Sequence, residues 1–226
     1  MLADELTPES FRRRPDVVRA VENPRSPRSV LNYMCGCDTA DPETRDSLNQ
    51  DETVRPLMTI WFHSGRTLDS FCQPFAPAVR ELKADPPSLT GEDWDSLDGT
   101  VAKVLLADQL SRSCFRGSAE AFSYDPIARD LMRALMAPQM IEATLTLPAA
   151  ILYLLPWALA HSEDVADLDL ACDFVDLAIG AHPNFRLFAE RNKPAIDQHR
   201  QVLRKFGRYP QRNAEFGREA TAAEKA

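Results

Sequence analysis

The sequence predicts an all-α fold, and three observations support that prediction. Glycine is scarce (8 residues) and proline is frequent (17 residues), which suits helices that end at sharp stops rather than a sheet of hairpins. Apolar residues recur at spacings of three and four in several segments, which is the period of a helix face. No alternation of apolar and polar residues extends over a useful strand length. The chain of 226 residues is long enough for a single helical domain with a sizeable core.

The first 27 residues are polar and proline-dotted, and we predict that they form an N-terminal arm with a short helix. The helical domain is then predicted to span residues 28–226, beginning with a short apolar segment at 29–36. Residues 38–53 contain many acids and no apolar periodicity, so they are predicted to form a polar loop. A run of helical segments is predicted from Arg55 onward.

The next helices follow from apolar periodicity and from proline. Residues 69–83 are predicted to form a helix that starts near Pro74 or Pro77. Residues 97–110 are apolar on nearly all sides of a helix, which is typical of a buried helix. Amphipathic patterns predict further helices at 125–137 and 164–179. The last long helical region, 185–206, is divided by Pro194.

An uncharged segment of 18 residues, 143–160, barely reaches the length that a membrane span needs. Pro148 and Pro156 interrupt it, and the polar residues His-Ser-Glu-Asp (161–164) follow it at once. We therefore predict a buried core helix, with Pro148 in its first turn and Thr146 as its cap.

Charge and cysteine usage limit the classes of partner. The net charge is −8 and the pI is about 5.1. Such an acidic chain lacks the positive field that nucleic acids and anionic membranes attract, so neither is a predicted partner. The five cysteines follow an N-terminus without an apolar signal segment, which predicts reduced thiols and a cytoplasmic protein. Cys35-Gly-Cys37 lacks a second pair at zinc spacing, so no metal site is predicted.

The end of the buried helix at 97–110 carries unexpected charge. Asp108 lies one turn before Arg112, and Arg112 lies one turn before Arg116, in the order that favours helical ion pairs. A carboxylate on a buried helix needs a partner, so we predict a pair between Asp108 and Arg112. Two interpretations stay open: the pair pins this helix to a neighbour, or it forms the wall of a functional site.

Two other segments carry groups with similar chemistry. His161 and Glu163 could act together as an acid–base or ligating pair. Alternatively, Ser162 caps the helix at 164–179, and Glu163 and Asp164 lie at the positive N-terminal end of that helix. Residues 199–218 hold six basic residues and one acid, and residues 161–176 hold six acids and no Lys or Arg. These segments are predicted to pair with each other, or Arg208, Arg212 and Asn213 form a fork for a carboxylate or phosphate.

Three segments together resemble the DUF924 family. They read LLADQLSRSCFRGSAEAFSYDP (105–126), HSEDVADLD (161–169) and HRQVLRKFGRYPQRNAEFGREAT (199–221). With weaker similarity near the N-terminus, the resemblance extends over residues 28–221. It implies a tetratricopeptide-like antiparallel helical array, no settled activity, and one shared site or network for the charged groups. Ser111, Ser113 and Gln211 replace the proline, asparagine and histidine of the family pattern, so a mechanism that needs that histidine does not carry over.

The leading functional hypothesis is a charged pocket that binds an anionic small molecule or a peptide carboxylate. Two alternatives stay open: a hydrolase or lyase, and a helical scaffold for a protein partner. The enzyme would use His161 with Glu163 or Asp108, and no cofactor is identified. The predicted ligand-binding residues are Gln109, Arg112, Arg116, Arg208, Arg212 and Asn213.

Overall fold

A computed structural model describes residues 6–225 of the chain, and every regular element in that range is helical. This confirms the all-α prediction, while the finer prediction of a tetratricopeptide-like array stays a prediction. Helix lengths vary from 4 to 17 residues. The helices of the first half are α1 (Pro8–Arg12), α2 (Pro15–Glu22), α3 (Pro27–Cys35), α4 (Pro42–Ser47), α5 (Asp51–His63), α6 (Asp69–Cys72), α7 (Ala76–Glu81) and α8 (Leu97–Leu105).

The second half contains helices and two π-helical turns. The helices are α9 (Ser111–Cys114), α10 (Asp125–Leu135), α11 (Ile141–Leu145), α12 (Ala149–Leu154), α13 (Trp157–Ala160), α14 (Val165–Ala181), α15 (Lys193–Phe206) and α16 (Ala222–Lys225). The first π turn (Leu106–Leu110) joins α8 to α9, and the second π turn (Phe188–Asn192) precedes α15. Short 3-10 turns lie at Gln73–Phe75, Ala119–Phe122 and Pro210–Arg212.

The predicted polar loop at 38–53 is wrong in part, because it contains α4 and the start of α5. The Asp41 side chain accepts from the backbone N–H of Glu43, and Pro42 occupies the first turn. Asp followed by Pro is a helix-start signal. Because α4 buries no residue, its sequence shows no apolar periodicity, and this signal is the one that marks the helix.

The apolar segment at 143–160 is buried from Leu147 onward, while Ala143 and Thr146 are exposed, and the segment is divided among α11, α12 and α13. Pro148 precedes α12 in an extended conformation and Pro156 precedes α13, so each proline starts a new helix. The prediction of Thr146 as the cap is wrong, because the first N–H of α12 donates to Asn49 Oδ1 at 2.9 Å. No helix among residues 6–225 is long and apolar enough to cross a membrane.

The main hydrophobic core of the described chain has buried members from Phe11 to Ile196, and a small separate cluster joins Leu168, Leu203 and Tyr209. Phe11 of α1 and Val17 of α2 are fully buried in it, so the helices at 8–22 pack on the same core as the rest. The predicted boundary between an arm at 1–27 and a domain at 28–226 stays a prediction. Helices α8, α10 and α13 pack side by side, and α14 packs between α13 and α15. This packing brings the ends of the three charged segments to one place.

Candidate functional site

The first π turn places a carboxylate inside the protein. Because α8 is apolar on nearly all sides, this stretch is buried, and Asp108 is only 1% exposed. Turns of this widened kind recur at functional sites. Ser111 Oγ closes the turn by donating to the Ala107 carbonyl oxygen at 2.6 Å. Asp108 is therefore a fixed, buried carboxylate that needs partners.

Asp108 has three side-chain partners. Its Oδ1 lies 2.7 Å from His161 Nδ1 and 3.1 Å from Arg112 Nη1, which confirms the predicted pair with Arg112. Gln109 Nε2 donates to Oδ2 at 2.5 Å. Burial alone would raise the pKa of Asp108, but these neighbours lower it to about 2. The carboxylate is therefore ionised at neutral pH.

His161 follows the last turn of α13, and its state is set by burial. Burial lowers the pKa of His161 to about 4, and the positive Arg112 acts in the same direction against the attraction of Asp108. The imidazole is therefore neutral at pH 7. Because the Asp108 carboxylate can only accept, the ring hydrogen lies on Nδ1 and the Nε2 atom is an acceptor. Within residues 6–225, no protein group hydrogen-bonds to Nε2.

A second carboxylate joins two arginines from distant parts of the chain. Arg112 Nη2 lies 2.9 Å from Asp125 Oδ1, without the alignment of a hydrogen bond, and Arg212 Nη1 donates to Asp125 Oδ2 at 3.1 Å. The Arg212 guanidinium also lies 4.8 Å from the ring centroids of Phe122 and Tyr209. Burial raises the pKa of Asp125, while both arginines oppose that shift. Arg212 is thus fixed by one carboxylate and two rings.

Glu163 has partners other than His161. Its Oε1 accepts from the backbone N–H of Tyr209 at 3.0 Å, and Arg218 Nη1 donates to Oε2 at 2.9 Å. The Tyr209 hydroxyl donates to the Ala160 carbonyl oxygen at 2.5 Å. These bonds attach the C-terminal segment beside His161. Of the two acids considered for His161, Asp108 is the one in direct contact.

Three of the predicted binding residues have structural partners elsewhere. Arg208 Nε donates to Glu224 Oε1 at 2.8 Å, and Asn213 Nδ2 donates to Glu224 Oε2 at 3.2 Å. Arg116 makes a bidentate pair with Asp69 at 2.6 and 2.9 Å. The structure therefore separates Arg212 from the other two members of the predicted fork.

A cavity of about 350 Å³ lies where these segments meet. His161, Glu163 and Arg212 are the predicted site residues that line it, while Asp108, Gln109 and Arg112 form the layer behind His161. The lining consists of Phe122, Ser123, Asp125, Pro126, Arg129, His161, Ser162, Glu163, Arg212 and Phe216.

Of the two arginines that line the cavity, Arg129 has the weaker ion pair. Its Nε donates to Asp130 Oδ1 at 3.2 Å, and Asp130 is 68% exposed. An exposed pair of this kind is weak, because water and salt compete with it. By contrast, Arg212 is 8% exposed and paired with Asp125. The cavity therefore offers a neutral imidazole nitrogen and one guanidinium that a ligand can engage.

Sequence reasoning missed several residues of this cavity. Asp125, Phe122 and Phe216 lie inside the quoted motif segments, so their types and positions were available as a signal. Arg129 lies one helical turn after Asp125, which is the spacing that places both side chains on one face of α10. Arg218 was counted among the basic residues but was not assigned to Glu163.

The described residues offer no metal centre. Among residues 6–225, no three His, Cys, Asp or Glu side chains are grouped so that they could hold a metal ion. All five cysteines are free. The chemistry that these side chains can perform is hydrogen bonding, ion pairing and proton transfer.

Comparison with known proteins places the chain among proteins without an assigned activity. The family model described as "Bacterial protein of unknown function (DUF924)" matches residues 49–226, a later start and a later end than the resemblance over 28–221. A solved structure of a protein of unknown function, ATU0120 from Agrobacterium tumefaciens, is 27% identical, with a TM-score of 0.56. The similarity covers 73% of this chain and 85% of that one. A search of curated proteins gave no match.

Proposed function

Since the chain belongs to the DUF924 family, whose description gives no function, we propose a function from the geometry of the cavity. The cavity binds a small molecule that carries one anionic group and, beside it, one hydrogen-bond donor. The carboxylate end of a peptide has the same two features. The five free thiols support a cytoplasmic setting for this function.

The Nε2 atom of His161, which has no hydrogen-bond partner among residues 6–225, carries this proposal. Asp108 holds the ring through Nδ1 at 2.7 Å, so the tautomer and the orientation are fixed before a ligand arrives. A neutral imidazole nitrogen accepts a hydrogen bond from an O–H or N–H group. A fixed acceptor on a cavity wall selects ligands that bring a donor, because a ligand without one leaves the nitrogen desolvated and unpaired.

Arg129 supports the anionic part of the proposal. Arg129 lines the cavity, and among residues 6–225 its guanidinium is paired only with its exposed sequence neighbour, so a ligand carboxylate can replace that partner at little cost. Phe122, Pro126 and Phe216 give the cavity an apolar side. A ligand with a branched aliphatic tail fits that side, and a volume of about 350 Å³ lies in the range of small-molecule sites.

Matched ligands test the proposal. Binding of 2-hydroxyisocaproate, isocaproate (which lacks the hydroxyl) and N-acetylleucine (a peptide-end mimic) is measured by NMR titration of the full chain. We expect the hydroxy acid and N-acetylleucine to bind at least threefold more tightly than isocaproate. Arg129→Gln should weaken all three about tenfold, which corresponds to about 1.4 kcal/mol. Arg13→Gln is the matched control, because Arg13 is also an exposed arginine paired with a nearby acid.

Two histidine variants separate the donor contact from general damage. His161→Asn retains a donor toward Asp108 but removes the acceptor, so the hydroxy acid should lose its advantage over isocaproate. His161→Gln places an amide near the position of Nε2 and should retain part of that advantage. The proposal is wrong if the wild type binds none of the three ligands, or if Arg129→Gln binds them as the wild type does.

The contact between Asp108 and His161 also favours the enzyme hypothesis, as a second candidate. A carboxylate that orients an imidazole is the arrangement of a general base or acid. The lowered pKa of His161, about 4, makes it unprotonated but weakly basic at pH 7, and this is why binding comes first.

The enzyme hypothesis has its own test. Turnover of 4-nitrophenyl esters and phosphates should fall at least 100-fold in His161→Gln, with an unchanged melting temperature. Equal rates in the variant and the wild type would reject a catalytic histidine. The scaffold hypothesis stays a prediction.

A further inference from the structure

A second cavity, of about 430 Å³, is lined by Trp157, whose ring centroid lies 5.7 Å from that of His161. Its walls include Phe62, Tyr153 and Trp157, whose rings pack against one another. The Phe62 centroid lies 5.2 Å from that of Trp157 and 6.0 Å from that of Tyr153. The volume suits a molecule of one or two rings, and the walls present aromatic surface to it.

Polar groups without protein partners stand around these aromatic walls. Within residues 6–225, the Arg191 guanidinium has no carboxylate within 4.0 Å and no hydrogen bond. Within the same residues, the Tyr153 hydroxyl and the Gln198 side-chain amide form no hydrogen bond with the protein. The buried indole Nε1 of Trp157 also has no acceptor. Buried polar groups normally have partners, so the Tyr153 hydroxyl and the half-buried Arg191 guanidinium, both without a protein partner among residues 6–225, indicate a binding site at this cavity.

The backbone fixes Arg191 at this cavity. It lies in the second π turn, next to Asn192, whose Nδ2 donates to the Tyr153 carbonyl oxygen at 2.8 Å. Asn192 is fully buried, so this bond ties the π turn to α12. The neighbouring Glu190 is bonded to Arg55 at 2.9 Å, which leaves Arg191 without that acid. The second π turn thus supplies a charged residue to this cavity, whereas the first π turn supplies the Asp108 carboxylate behind His161.

We propose that this second cavity binds an aromatic monocarboxylate, with its ring against Phe62 and Trp157 and its carboxylate on Arg191. One guanidinium can pair with one carboxylate in a bidentate manner, and it balances one negative charge. Planar rings are favoured over aliphatic ones, because aromatic pairs gain from their quadrupoles beyond the area they bury. The Tyr153 hydroxyl and the Gln198 amide remain to meet a polar substituent on the ring.

The hydroxyl of Tyr153 is neutral when a ligand binds in the second cavity. Burial raises the pKa of Tyr153 to about 12, so the hydroxyl keeps its hydrogen at physiological pH. It can then donate to a ligand and adds no negative charge near Arg191. The site is distinct from the His161 cavity, since Trp157 and Arg191 do not line that cavity.

Three matched probes test this proposal on the full chain by isothermal titration calorimetry. Phenylacetate has the ring and the charge, cyclohexylacetate has the charge without a flat ring, and phenylacetamide has the ring without the charge. We expect phenylacetate to bind at least threefold more tightly than cyclohexylacetate and at least tenfold more tightly than phenylacetamide. Equal affinity for phenylacetate and cyclohexylacetate would overturn the assignment of an aromatic ligand.

Arginine variants locate the site. Arg191→Gln should weaken phenylacetate about tenfold and leave the fold intact, since Arg191 has no protein partner to lose among the described residues. Arg204→Gln, on α15 and 58% exposed, is the matched control and should bind as the wild type does. Arg129→Gln probes the His161 cavity and should also leave phenylacetate binding unchanged. No binding by the wild type, no effect of Arg191→Gln, or loss of binding in Arg129→Gln would each overturn the proposal.

Discussion

His161 is held by the Asp108 carboxylate, which also pairs with Arg112, and burial determines the protonation state of the imidazole. Its pKa in the folded protein is about 4, below the ordinary value of 6.5. Between these values the unfolded chain binds more protons than the folded one, so stability increases with pH across this window. Stability contributed by the neutral imidazole is therefore complete above pH 6.5 and is lost as the pH falls toward 4.

We predict that His161→Asn flattens this dependence. Asn can still donate to Asp108, but it does not titrate, so the variant avoids the protonation cost of the folded state. The wild type should lose on the order of 2 kcal/mol more than the variant between pH 7.5 and pH 4.5. Urea unfolding at the two pH values measures the difference. His63→Asn, at an exposed position, is the control, and a wild-type slope in His161→Asn would contradict the prediction.

The sequence predicted the partners of some site residues and missed those of others. The pair between Asp108 and Arg112 follows from spacing within one helix, and the structure contains it. The pairs of Arg116 with Asp69 and of Arg212 with Asp125 join residues 47 and 87 positions apart. Such pairs depend on how helices pack, which residue types alone do not determine. Of the fork predicted from composition, Arg208 and Asn213 both donate to the Glu224 carboxylate, while Arg212 pairs with Asp125.

At the scale of elements, polar residues at helix starts determine boundaries that apolar periodicity leaves open. Periodicity predicted α10, α14 and the length of α8 with the first π turn to within a few residues. It could not show α4, which buries no side chain. One of the two interpretations left open for this segment made Ser162 the cap of α14, but the side chain that accepts from the first turn belongs to Asp164, at 2.9 Å. Ser162 Oγ accepts from the N–H of Asp164 instead.

We predict that Asp164→Ala lowers the free energy of unfolding by about 1 kcal/mol, because the N–H of Ala166 loses its acceptor. Asp164→Asn should retain most of the stability, since an amide oxygen also caps. Asp173→Ala is the control: Asp173 is exposed in the middle of the same helix, where alanine is a good helix former. Denaturant unfolding of the three variants measures the effect, and equal losses for Asp164→Ala and Asp173→Ala would rule out the cap.

At the scale of the whole molecule, the predicted pairing of the acidic and basic segments is present. Arg200 Nη1 lies 3.0 Å from Asp169 Oδ1, and Arg218 pairs with Glu163. The pair of Arg200 with Asp169 lies at the surface, where such pairs contribute little. The stability of the fold therefore rests on the core that runs from Phe11 to Ile196, which the apolar segments predicted in outline. The contribution of α1 and α2 to that core was not predicted, because residues 1–27 are mostly polar in sequence and α1 and α2 bury only Phe11, Val17 and Ala20.

Phe11 tests whether these first helices are part of the cooperative unit. Its ring is fully buried, with its centroid 5.9 Å from Tyr33 and 5.8 Å from Trp61 of α5. We predict that Phe11→Ala destabilises the whole molecule by about 3 kcal/mol, through lost burial and the cavity left behind. Val18→Ala, at a position on α2 that is 38% exposed, should change stability little.

The readouts are far-ultraviolet circular dichroism, which follows all helices, and tryptophan fluorescence, which includes Trp61 in the core. If α1 and α2 belong to the cooperative unit, both signals should shift together to lower denaturant in Phe11→Ala, because coincident transitions indicate one unit. If residues 1–27 instead behave as a separate arm, the fluorescence midpoint of the variant will equal that of the wild type. Only a small part of the dichroism signal will then be lost early. The burial of Phe11 against Trp61 favours the first outcome, since removing that ring leaves an indole of the main core without one of its packing partners.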